Sequence, residues 1–363
     1  MRRHPQRRVV LADVARKAGT SEATASRALK DDPRIGQSTR ETVKAAARQL
    51  GYVPNAAARS LRAKQTHILG LLLDDLADPV HGKVAAGFEE AAAEQGFAVF
   101  IMTGLHDAQR EERALRAFVE HRADGIVLAS CVSEPADVHR AVPPERVVHV
   151  QPDYPSLADG REPAKRGVLQ SDDTTGVAAT VRHLAERGYA RITYVGPGTG
   201  ASDALRRSAA TATLKEVGLP RLRVVESGID GWRDPTSVAR TLAADPPDAV
   251  LCYDDKLALA LLDALRPTRL DVPGDVGLTG FDGITAAFQS RPRLTTVAVP
   301  SIQIGRRAVE MLTTGLRDGT MPVSEVVPVA LVVGESTPGR TADGDRRGRR
   351  PPVTTEAREA GGP

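Results

Sequence analysis

The sequence of 363 residues has very few cysteines, which excludes the scaffolds that depend on them. Cys131 and Cys252 lie far apart and form neither a disulfide framework nor a metal-ligand spacing. We interpret them as buried thiols in a reducing cytoplasm. No apolar run of about 18 residues occurs, so no membrane-spanning helix is predicted. The basic stretch MRRHPQRRVV lacks the apolar core of a secretion signal, which favours a cytoplasmic location.

The motifs of common enzyme classes are also absent. Only eight His residues are present, and neither H-E-x-x-H nor G-x-S-x-G occurs. The segment GPGTG at residues 196–200 has neither the Lys-Ser/Thr ending of a P-loop nor the G-x-G-x-x-G spacing. We interpret it as a loop of a cleft. The sequence therefore predicts a protein that is not an enzyme and needs no metal or cofactor.

The positive charge is concentrated at one end of the chain. Residues 1–66 contain 15 Lys and Arg against five Asp and Glu, an excess of ten positive charges. Because the whole chain carries +3, residues 67–363 carry about −7. A basic head on an acidic body indicates a nucleic-acid-binding module joined to a domain with another ligand.

Residues 11–30, LADVARKAGTSEATASRALK, predict two short helices joined by a tight turn. Gly19 suits the left-handed backbone that ends a helix, and the Ser21 hydroxyl can cap the next helix. The first helix has apolar residues at helical spacing: Leu11, Val14, Ala15 and Ala18.

The second and third helices complete a helix-turn-helix unit. On the second, Ala25 and Leu29 are expected to face inward, which leaves Glu22, Ala23, Ser26 and Arg27 outward. The third, at about 37–50, is expected to bury Val43, Ala46, Ala47 and Leu50. In such a unit the second helix enters the major groove and presents its first residues to base edges.

The segment NAAARSLRAKQT after the third helix carries one large apolar residue, Leu61, among basic side chains. Asn55 is a good helix N-cap, but an isolated helix of two to three turns is marginal in water. Leu61 could act as a wedge in the minor groove, with the cations on phosphates. The segment could equally be a plain linker between domains.

From His67 onward, apolar strand-like segments alternate with amphipathic helical ones, which predicts parallel βαβ units. The alternation of strands and helices starts again at GVLQSDD. We therefore expect two doubly wound lobes with a ligand cleft between them, beyond the carboxyl ends of the strands. Acidic residues follow several predicted strands. Each alone suits a loop or a helix cap, but together they would suit a polyol or similar polar ligand: Asp74, Asp75, Asp254, Asp255 and Asp282.

The motifs DVARKAG, TASR, LGYVPN, ARSL, LTGFDG and LTTVAVP together resemble the LacI/GalR family of bacterial transcriptional regulators, over the chain up to about residue 339. The resemblance implies an all-α helix-turn-helix head with a hinge helix that orders on DNA. It also implies an α/β body of the periplasmic-binding-protein type, with two doubly wound parallel sheets and strands exchanged between lobes. The family motif GVS-x-x-TVSR is GTSEATASR here, with less apolar volume in the small head.

The implied domains follow from that resemblance. They are a DNA-binding head at 1–54, a hinge helix or linker at 55–66, and an effector-binding and dimerisation body at 67–339. Within the body we place the N-lobe at about 67–166 plus 297–325 and the C-lobe at about 167–296 plus 326–339. The tail at 340–363 has no Leu, Ile or Phe and is predicted to be disordered. It cannot form a leucine-heptad helix, so we expect a homodimer rather than a tetramer.

The resemblance also assigns residues on the DNA side. It matches the intercalating leucine of the family to Leu61, and base contacts to Glu22, Ala23 and Arg27. A carboxylate at Glu22 would accept from the amino group of cytosine. The full set expected to contact double-stranded operator DNA is Thr20, Ser21, Glu22, Ala23, Thr24, Ser26, Arg27, Arg34, Asn55, Ala58, Arg59, Leu61 and Arg62.

On the effector side the resemblance matches Arg206 and Asp282 to known contacts, and Asp254 to a position that often holds Asn or Asp. Trp232, the only Trp, could stack on the effector or simply pack. His81 replaces an aromatic residue and could bind the ligand or lie on the surface. The expected effector-binding set is Asp74, His81, Arg206, Trp232, Asp254 and Asp282.

These features predict a ligand-responsive transcriptional regulator, expected to be a repressor, with a sugar as the leading effector class and a purine as the minority class. The rival within the same fold is a solute-binding protein for transport. That rival would need a secretion signal and no basic head, and the sequence has the reverse.

Overall fold

The computed structural model describes residues 9–53, 65–158, 166–228, 231 and 233–340, and contacts within the chain divide it into two compact units, Met1–Thr66 and His67–Pro363. In its described part the first unit consists of α1 (Leu11–Lys17), α2 (Glu22–Ala28) and α3 (Gln37–Leu50). The three predicted head helices are therefore confirmed. The predictions for residues 55–64 and for the tail beyond residue 340 concern residues outside the described ranges.

The turn and cap of the head are those that its sequence predicts. Gly19 has φ +65°, and the Ser21 hydroxyl accepts from the amide of Thr24 at 3.1 Å. On α2 the fully buried residues are Ala25 and Ala28, whereas Leu29 is only half-buried. The fully buried core of this unit consists of small residues: Val14, Ala15, Ala25, Ala28, Val43, Ala46 and Ala47.

The second unit is an α/β body. Its described strands are β1 (Ile68–Leu73), β2 (Ala98–Thr103), β3 (Gly125–Ala129), β4 (Val147–Val150), β5 (Val168–Ser171), β6 (Ile192–Gly196), β7 (Arg223–Glu226), β8 (Ala249–Cys252), β9 (Gly277–Asp282), β10 (Thr295–Ala298), β11 (Glu325–Val327) and β12 (Ala330–Val332). Its helices are α4 (Pro79–Glu94), α5 (Ala108–Glu120), α6 (Pro135–Ala141), α7 (Pro155–Ala158), α8 (Asp173–Glu186), α9 (Ala201–Glu216), α10 (Thr236–Ala244), α11 (Asp255–Leu265), α12 (Thr285–Gln289) and α13 (Ser301–Asp318). None of the described helices is long and apolar enough to cross a membrane.

The described strands form two sheets, one in each lobe. The first has the order β11-β5-β4-β3-β1-β2 and its strands all pair in parallel. The second has the order β12-β10-β9-β8-β6-β7, and only β12 runs antiparallel to its neighbour. Helices cover both faces of each sheet, so central strands such as ILGLLL of β1 are apolar throughout rather than alternating. The predicted two-lobed, mostly parallel α/β architecture is confirmed.

Three of the predicted lobe boundaries are wrong. The boundary at residue 167 puts β5 in the C-lobe, but β5 lies in the first sheet, between β4 and β11. The boundary at residue 297 returns the chain to the N-lobe too early, because β10 pairs with β9 in the second sheet. The predicted return of the following helix is correct, since α13 packs on α4 of the first lobe.

The boundary between residues 325 and 326 also falls inside β11, which belongs wholly to the first sheet. The chain therefore crosses between lobes after β5, after β10 and after β11. Each assignment depends on pairing over a long range, such as Leu169 with Glu325, which sequence periodicity cannot show.

Helices α4 and α13 cross closely because each presents a glycine to the other. A Cβ on Gly87 would lie 2.0 Å from the carbonyl oxygen of Ile302, and one on Gly305 would lie 2.1 Å from that of Val84. Both contacts are with backbone, so no side chain can move aside. The close crossing seals one face of the first sheet.

We expect Gly305→Ala to destabilise the body by about 3 kcal/mol or more, because its methyl group would push the two helices apart. Gly82→Ala is the matched control within α4, since its Cβ would meet nothing within 4 Å. That control should stabilise the protein by about 0.5–1 kcal/mol through helix propensity. Urea unfolding followed by circular dichroism measures both. Equal stability of the two variants would contradict the close crossing.

Candidate functional site

A cleft of about 210 Å³ lies between the two lobes, at the carboxyl ends of the strands. Residues at or just after the carboxyl ends of eight different strands reach it, and α4, α9 and α11 contribute the rest of the wall. The described residues that line it are Asp74, Asp78, Val80, His81, His106, Ser130, Gln151, Asp153, Pro197, Thr199, Ser202, Arg206, Ser227, Gly228, Tyr253, Asp254, Lys256, Leu257 and Asp282.

Arg206, on α9, is held rigidly in the floor of this cleft. Its Nε donates to Asp173 at 2.8 Å and its Nη1 donates to the carbonyl of Tyr253 at 2.5 Å. The guanidinium carbon lies 3.7 Å from the ring centroid of Phe281 and 4.6 Å from that of Tyr253. Burial would lower the pKa of Arg206, but Asp173 and the neighbouring oxygens outweigh it and raise the pKa. The site therefore holds one permanently charged, pre-oriented cation.

Asp282 faces Arg206 at the end of β9, with its carboxylate 3.9 Å from the guanidinium. Its φ of +101° lies in a region that favours glycine, so local structure forces this backbone. Burial raises the pKa of Asp282 well above its ordinary value, although Arg206 lowers it. The strained backbone keeps a polar acceptor pointed into the cleft.

Asp254 fulfils both of the roles considered for an acid at a strand end. Its carboxylate caps α11 by accepting from the amide of Leu257 at 2.7 Å, and it also lines the cleft. Lys256, two residues further on, lies 3.7 Å from Asp254 and contacts Asp78 of the first lobe. Burial raises the pKa of Asp254, against the opposing effect of Lys256.

The first lobe contributes Asp74 and two histidines. Asp74 accepts from the backbone amide of His106, and the His106 ring lies 3.9 Å from Asp74 and 3.8 Å from Asp153. His81 Nδ1 hydrogen-bonds the carbonyl of Asp75 at 2.9 Å, and its Nε2 bonds the Ser130 hydroxyl at 3.1 Å. His81 is thus part of the wall rather than a surface residue.

The structure brings together five of the six predicted effector-site residues: Asp74, His81, Arg206, Asp254 and Asp282. Trp232 lies outside the described residues. Of the other strand-end acids, Asp255 is fully buried below the cleft and Asp75 does not line it. Among the described residues, no group of three or more His, Cys, Asp or Glu side chains is arranged to hold a metal ion.

The head presents the predicted outer face of α2. Glu22, Ala23 and Arg27 are exposed, and Thr24 and Ser26 are half-buried. Arg34 is exposed and pairs with Asp32 through two hydrogen bonds of 3.0 and 2.7 Å. The Thr20 hydroxyl is buried without a partner among the described residues. The remaining residues predicted to contact DNA lie outside the described residues: Asn55, Ala58, Arg59, Leu61 and Arg62.

Two family models match the chain, "Bacterial regulatory proteins, lacI family" over residues 10–55 and "Periplasmic binding protein-like domain" over residues 181–337. The HTH-type transcriptional regulator GalR of Salmonella typhimurium is 31% identical over 324 residues, which cover 87% of this chain and 92% of GalR. The chain belongs to the LacI family of bacterial regulatory proteins.

Solved structures agree with this LacI-family fold. A structure of the Lac repressor dimer bound to operator and the anti-inducer ONPF superposes with a TM-score of 0.81 at 23% identity, covering 92% of this chain and all of that one. A complex of the transcriptional regulator CelR with cellobiose gives a TM-score of 0.64 at 26% identity, covering 91% and 100%.

Sequence reasoning missed several cleft residues of this LacI-family regulator. Asp153 follows β4, a strand that the sequence pattern did not reveal, and His106 lies in the loop after β2. Asp78 reads as an ordinary helix cap, and Lys256 as an exposed first-turn residue. The rule that parallel strands point their carboxyl ends at the ligand would have found Asp153 if β4 had been recognised.

Proposed function

We propose that this LacI-family regulator represses transcription by binding a pseudo-palindromic operator as a homodimer, under the control of a small polar effector in the interlobe cleft. One observation supports the proposed effector site. A fixed cation, Arg206, lies opposite the carboxylate of Asp282, whose strained backbone directs it into a cleft large enough for a small molecule. Such fixed donors and acceptors around a concave surface suit a hydroxyl-rich ligand.

A sugar is the effector class we favour. The cleft is lined by five aspartates and by hydroxyl groups, with apolar surface from Val80, Tyr253 and Leu257. Carboxylates accept from sugar hydroxyls, and the apolar side chains can contact the C–H faces of a sugar ring. The similar CelR was solved with cellobiose, which supports this class. We assign effector contacts to Asp74, His81, Arg206, Trp232, Asp254 and Asp282.

The DNA half rests on α2 and the segment after α3. We assign base contacts to Glu22, Ala23 and Arg27, which are exposed near the start of α2. Ser21 caps the helix, and its neighbours support that surface and the phosphate contacts: Thr20, Thr24, Ser26 and Arg34. From the sequence we assign Leu61 as the minor-groove wedge, with Asn55, Ala58, Arg59 and Arg62 around it.

A homodimer suits both the operator and the sheets. A two-fold axis in the protein reads two half-sites of a palindrome. In the described residues, β2 and β7 end their sheets on the side away from β11 and β12, and they expose Ile101 and Val224. We propose that a second copy covers these edges. The Lac repressor, which is similar in fold, was solved as a dimer on its operator.

The decisive experiment selects sequences from a random duplex library with the full-length protein and then measures affinity with and without a panel of sugars. We expect a palindromic motif whose affinity falls steeply with salt, because the head is strongly basic. One sugar should change that affinity by roughly 5–150-fold, and operator should change sugar affinity by the same factor. A flat salt response, or no enriched motif, would rule out the DNA role.

We predict that Glu22 reads a cytosine in each half-site. An exposed carboxylate at the start of α2 accepts from the cytosine amino group and repels phosphates. In the same selection, Glu22→Gln should lose the preference for cytosine at one half-site position, which corresponds to about 1–3 kcal/mol of discrimination. Its affinity for other sequences should rise, because the carboxylate no longer repels phosphates. Glu41→Gln on α3 is the control of equal charge change. An identical motif for wild type and Glu22→Gln would refute the contact.

A further inference from the structure

The two lobes are joined across the cleft by direct polar contacts of the protein itself. The ammonium of Lys256, on α11, contacts the carboxylate of Asp78 at the start of α4. The amide of Ala201, at the start of α9, donates to Asp153 of the first lobe at 2.5 Å. Three of these groups, Lys256, Asp78 and Asp153, also line the cavity. The links therefore lie where an effector would bind.

The link between Lys256 and Asp78 is more than a surface ion pair. The exposed fractions of the two side chains are 25% and 13%. Asp78 also caps α4 by accepting from the amide of Val80 at 2.8 Å, and Asp254 flanks the ammonium at 3.7 Å. Burial would raise the pKa of Asp78, but Lys256 outweighs it and holds that pKa below its ordinary value. Removing the ammonium would leave two carboxylates close together in a partly buried wall.

The second link is a helix cap supplied from the other lobe. Helix α9 starts after Gly200, and no side chain of its own caps it. Asp153 takes that place, and a negative group there also suits the positive end of the helix dipole. A Cβ on Gly200 would lie 2.9 Å from the Asp153 carboxylate, so a glycine permits the approach. Because α9 carries Arg206, the first lobe helps to position the main cation of the site.

We propose that Lys256 and Asp153 hold the two lobes together across the cleft, and that an effector changes the lobe arrangement by displacing Lys256 from Asp78. The first half depends only on the body. The second half rests on the proposed function. Lys83, whose ammonium donates to the carbonyl of Gly283 at 3.1 Å, is a third link away from the cavity lining and remains intact in this scheme.

The test measures the distance between the lobes in full-length protein without any ligand. Spin labels replace two exposed residues, Glu120 on α5 and Lys215 on α9, and labelled chains are diluted with unlabelled ones so that only distances within a chain are seen. The native cysteines, Cys131 and Cys252, are buried and should remain unlabelled. Pulsed electron resonance then gives the interlobe distance distribution.

Lys256→Arg should keep the wild-type distance, because it keeps the charge. Lys256→Met and Asp78→Asn, which retains a capping side chain, should each shift the closed-to-open ratio by at least about tenfold, as expected when one partner of a partly buried pair is removed. The double variant should shift it no further. Lys256→Glu should have the largest effect because it adds repulsion.

The control breaks an ion pair within one lobe. Arg182 on α8 pairs with Glu216 on α9, and Arg182→Glu should leave the distance unchanged. Unchanged distances in Lys256→Met, Asp78→Asn and Lys256→Glu would overturn the proposal, as would a shift in Lys256→Arg equal to that in Lys256→Glu. Circular dichroism identifies any variant that fails to fold. If Lys256→Glu fails to fold, the distances in Lys256→Met and Asp78→Asn decide whether the proposal holds.

A second arm tests the link to DNA. Lys256→Met should change operator affinity without effector by roughly 5–50-fold, within the usual range of coupling between sites. It should also reduce the response to whichever sugar acts on the wild type. If wild type binds no operator, the proposed function fails while the distance result stands. If wild type binds operator and Lys256→Met binds equally well, the coupling to the cleft fails.

Discussion

Arg206→Met should lower the free energy of unfolding of the body by about 3–5 kcal/mol, the usual cost of leaving one member of a buried ion pair alone. The change removes the charge that faces Asp173, a residue with only 2% of its side chain exposed. It also removes the donor to the carbonyl of Tyr253 and the cation between two aromatic rings. Among the described residues, Asp173 would keep the hydroxyl of Ser171 as its side-chain hydrogen-bond partner.

Urea unfolding of the full chain at neutral pH measures this loss, and three further variants locate its origin. Arg206→Lys keeps a charge but loses the planar fork, so it should fall between wild type and Arg206→Met. Asp173→Asn added to Arg206→Met should recover part of the stability by removing the orphaned charge. Arg182→Met, which breaks an exposed pair, should cost less than about 1 kcal/mol.

Arg206→Met should also abolish the response to effector at concentrations that saturate the wild type. The guanidinium is fixed in advance by protein contacts, so the ligand need not order it on binding. If Arg206→Met unfolds at the same urea concentration as Arg182→Met, the guanidinium does not hold the cleft together. A stable Arg206→Met protein that still responds to sugar would remove Arg206 from the site.

The parts of the fold that sequence reasoning predicted are those with local signals. The helices of the head follow from a turn glycine, a capping serine and apolar spacing, all within a few residues of one another. Most strands of the body also show as apolar runs between amphipathic helices. The strand β4 did not, because it is short and follows two prolines. The strand β7 did not either, because it lies at a sheet edge and has only two apolar residues between Arg223 and Glu226.

The lobe to which a strand belongs could not be predicted in the same way. The sequence pattern of β5 is the same whether the strand pairs in the first sheet or opens the second. Its partner β11 lies over 150 residues away in the chain, and the hydrogen bond from the Val168 amide to the Ser324 hydroxyl spans that separation. The residues of the cleft could also be predicted only in part, because some of them are brought together by long-range contacts. Acids at strand ends were predicted, whereas Lys256 became a cleft residue only when folding placed Asp78 of the other lobe beside it.

Asp255 should make the body less stable as the pH rises from about 5 to about 8. Its carboxyl group is fully buried at the start of α11, where it accepts from the Thr296 hydroxyl at 2.6 Å and from the Ile284 amide at 2.9 Å. Burial raises the pKa of Asp255 to about 7, with a smaller contribution from Asp254 and against the lowering effect of those hydrogen bonds. The folded protein therefore keeps a proton here that the unfolded chain has already lost.

The direction of the effect follows from that proton. Where the folded state binds more protons than the unfolded state, stability falls with rising pH, here from the ordinary pKa near 4 up to about 7, and then levels off. Between pH 5 and pH 8 the loss should be about 2–3 kcal/mol, since each pKa unit corresponds to about 1.4 kcal/mol. Asp255→Asn cannot titrate, so its stability should fall by that much less over the same interval.

Urea unfolding at pH 5, 6, 7 and 8 gives the curves for wild type and Asp255→Asn. The difference between them cancels most of the titration of other groups, including the buried histidine His149. Asp234→Asn, at an exposed position, is the control and should run parallel to wild type, because that carboxylate is ionised throughout the interval whether the chain is folded or not. Parallel curves for wild type and Asp255→Asn would mean that Asp255 is ionised in the folded protein at neutral pH. The start of α11 would then carry one more negative charge beside Asp254 at neutral pH than the raised pKa of Asp255 indicates.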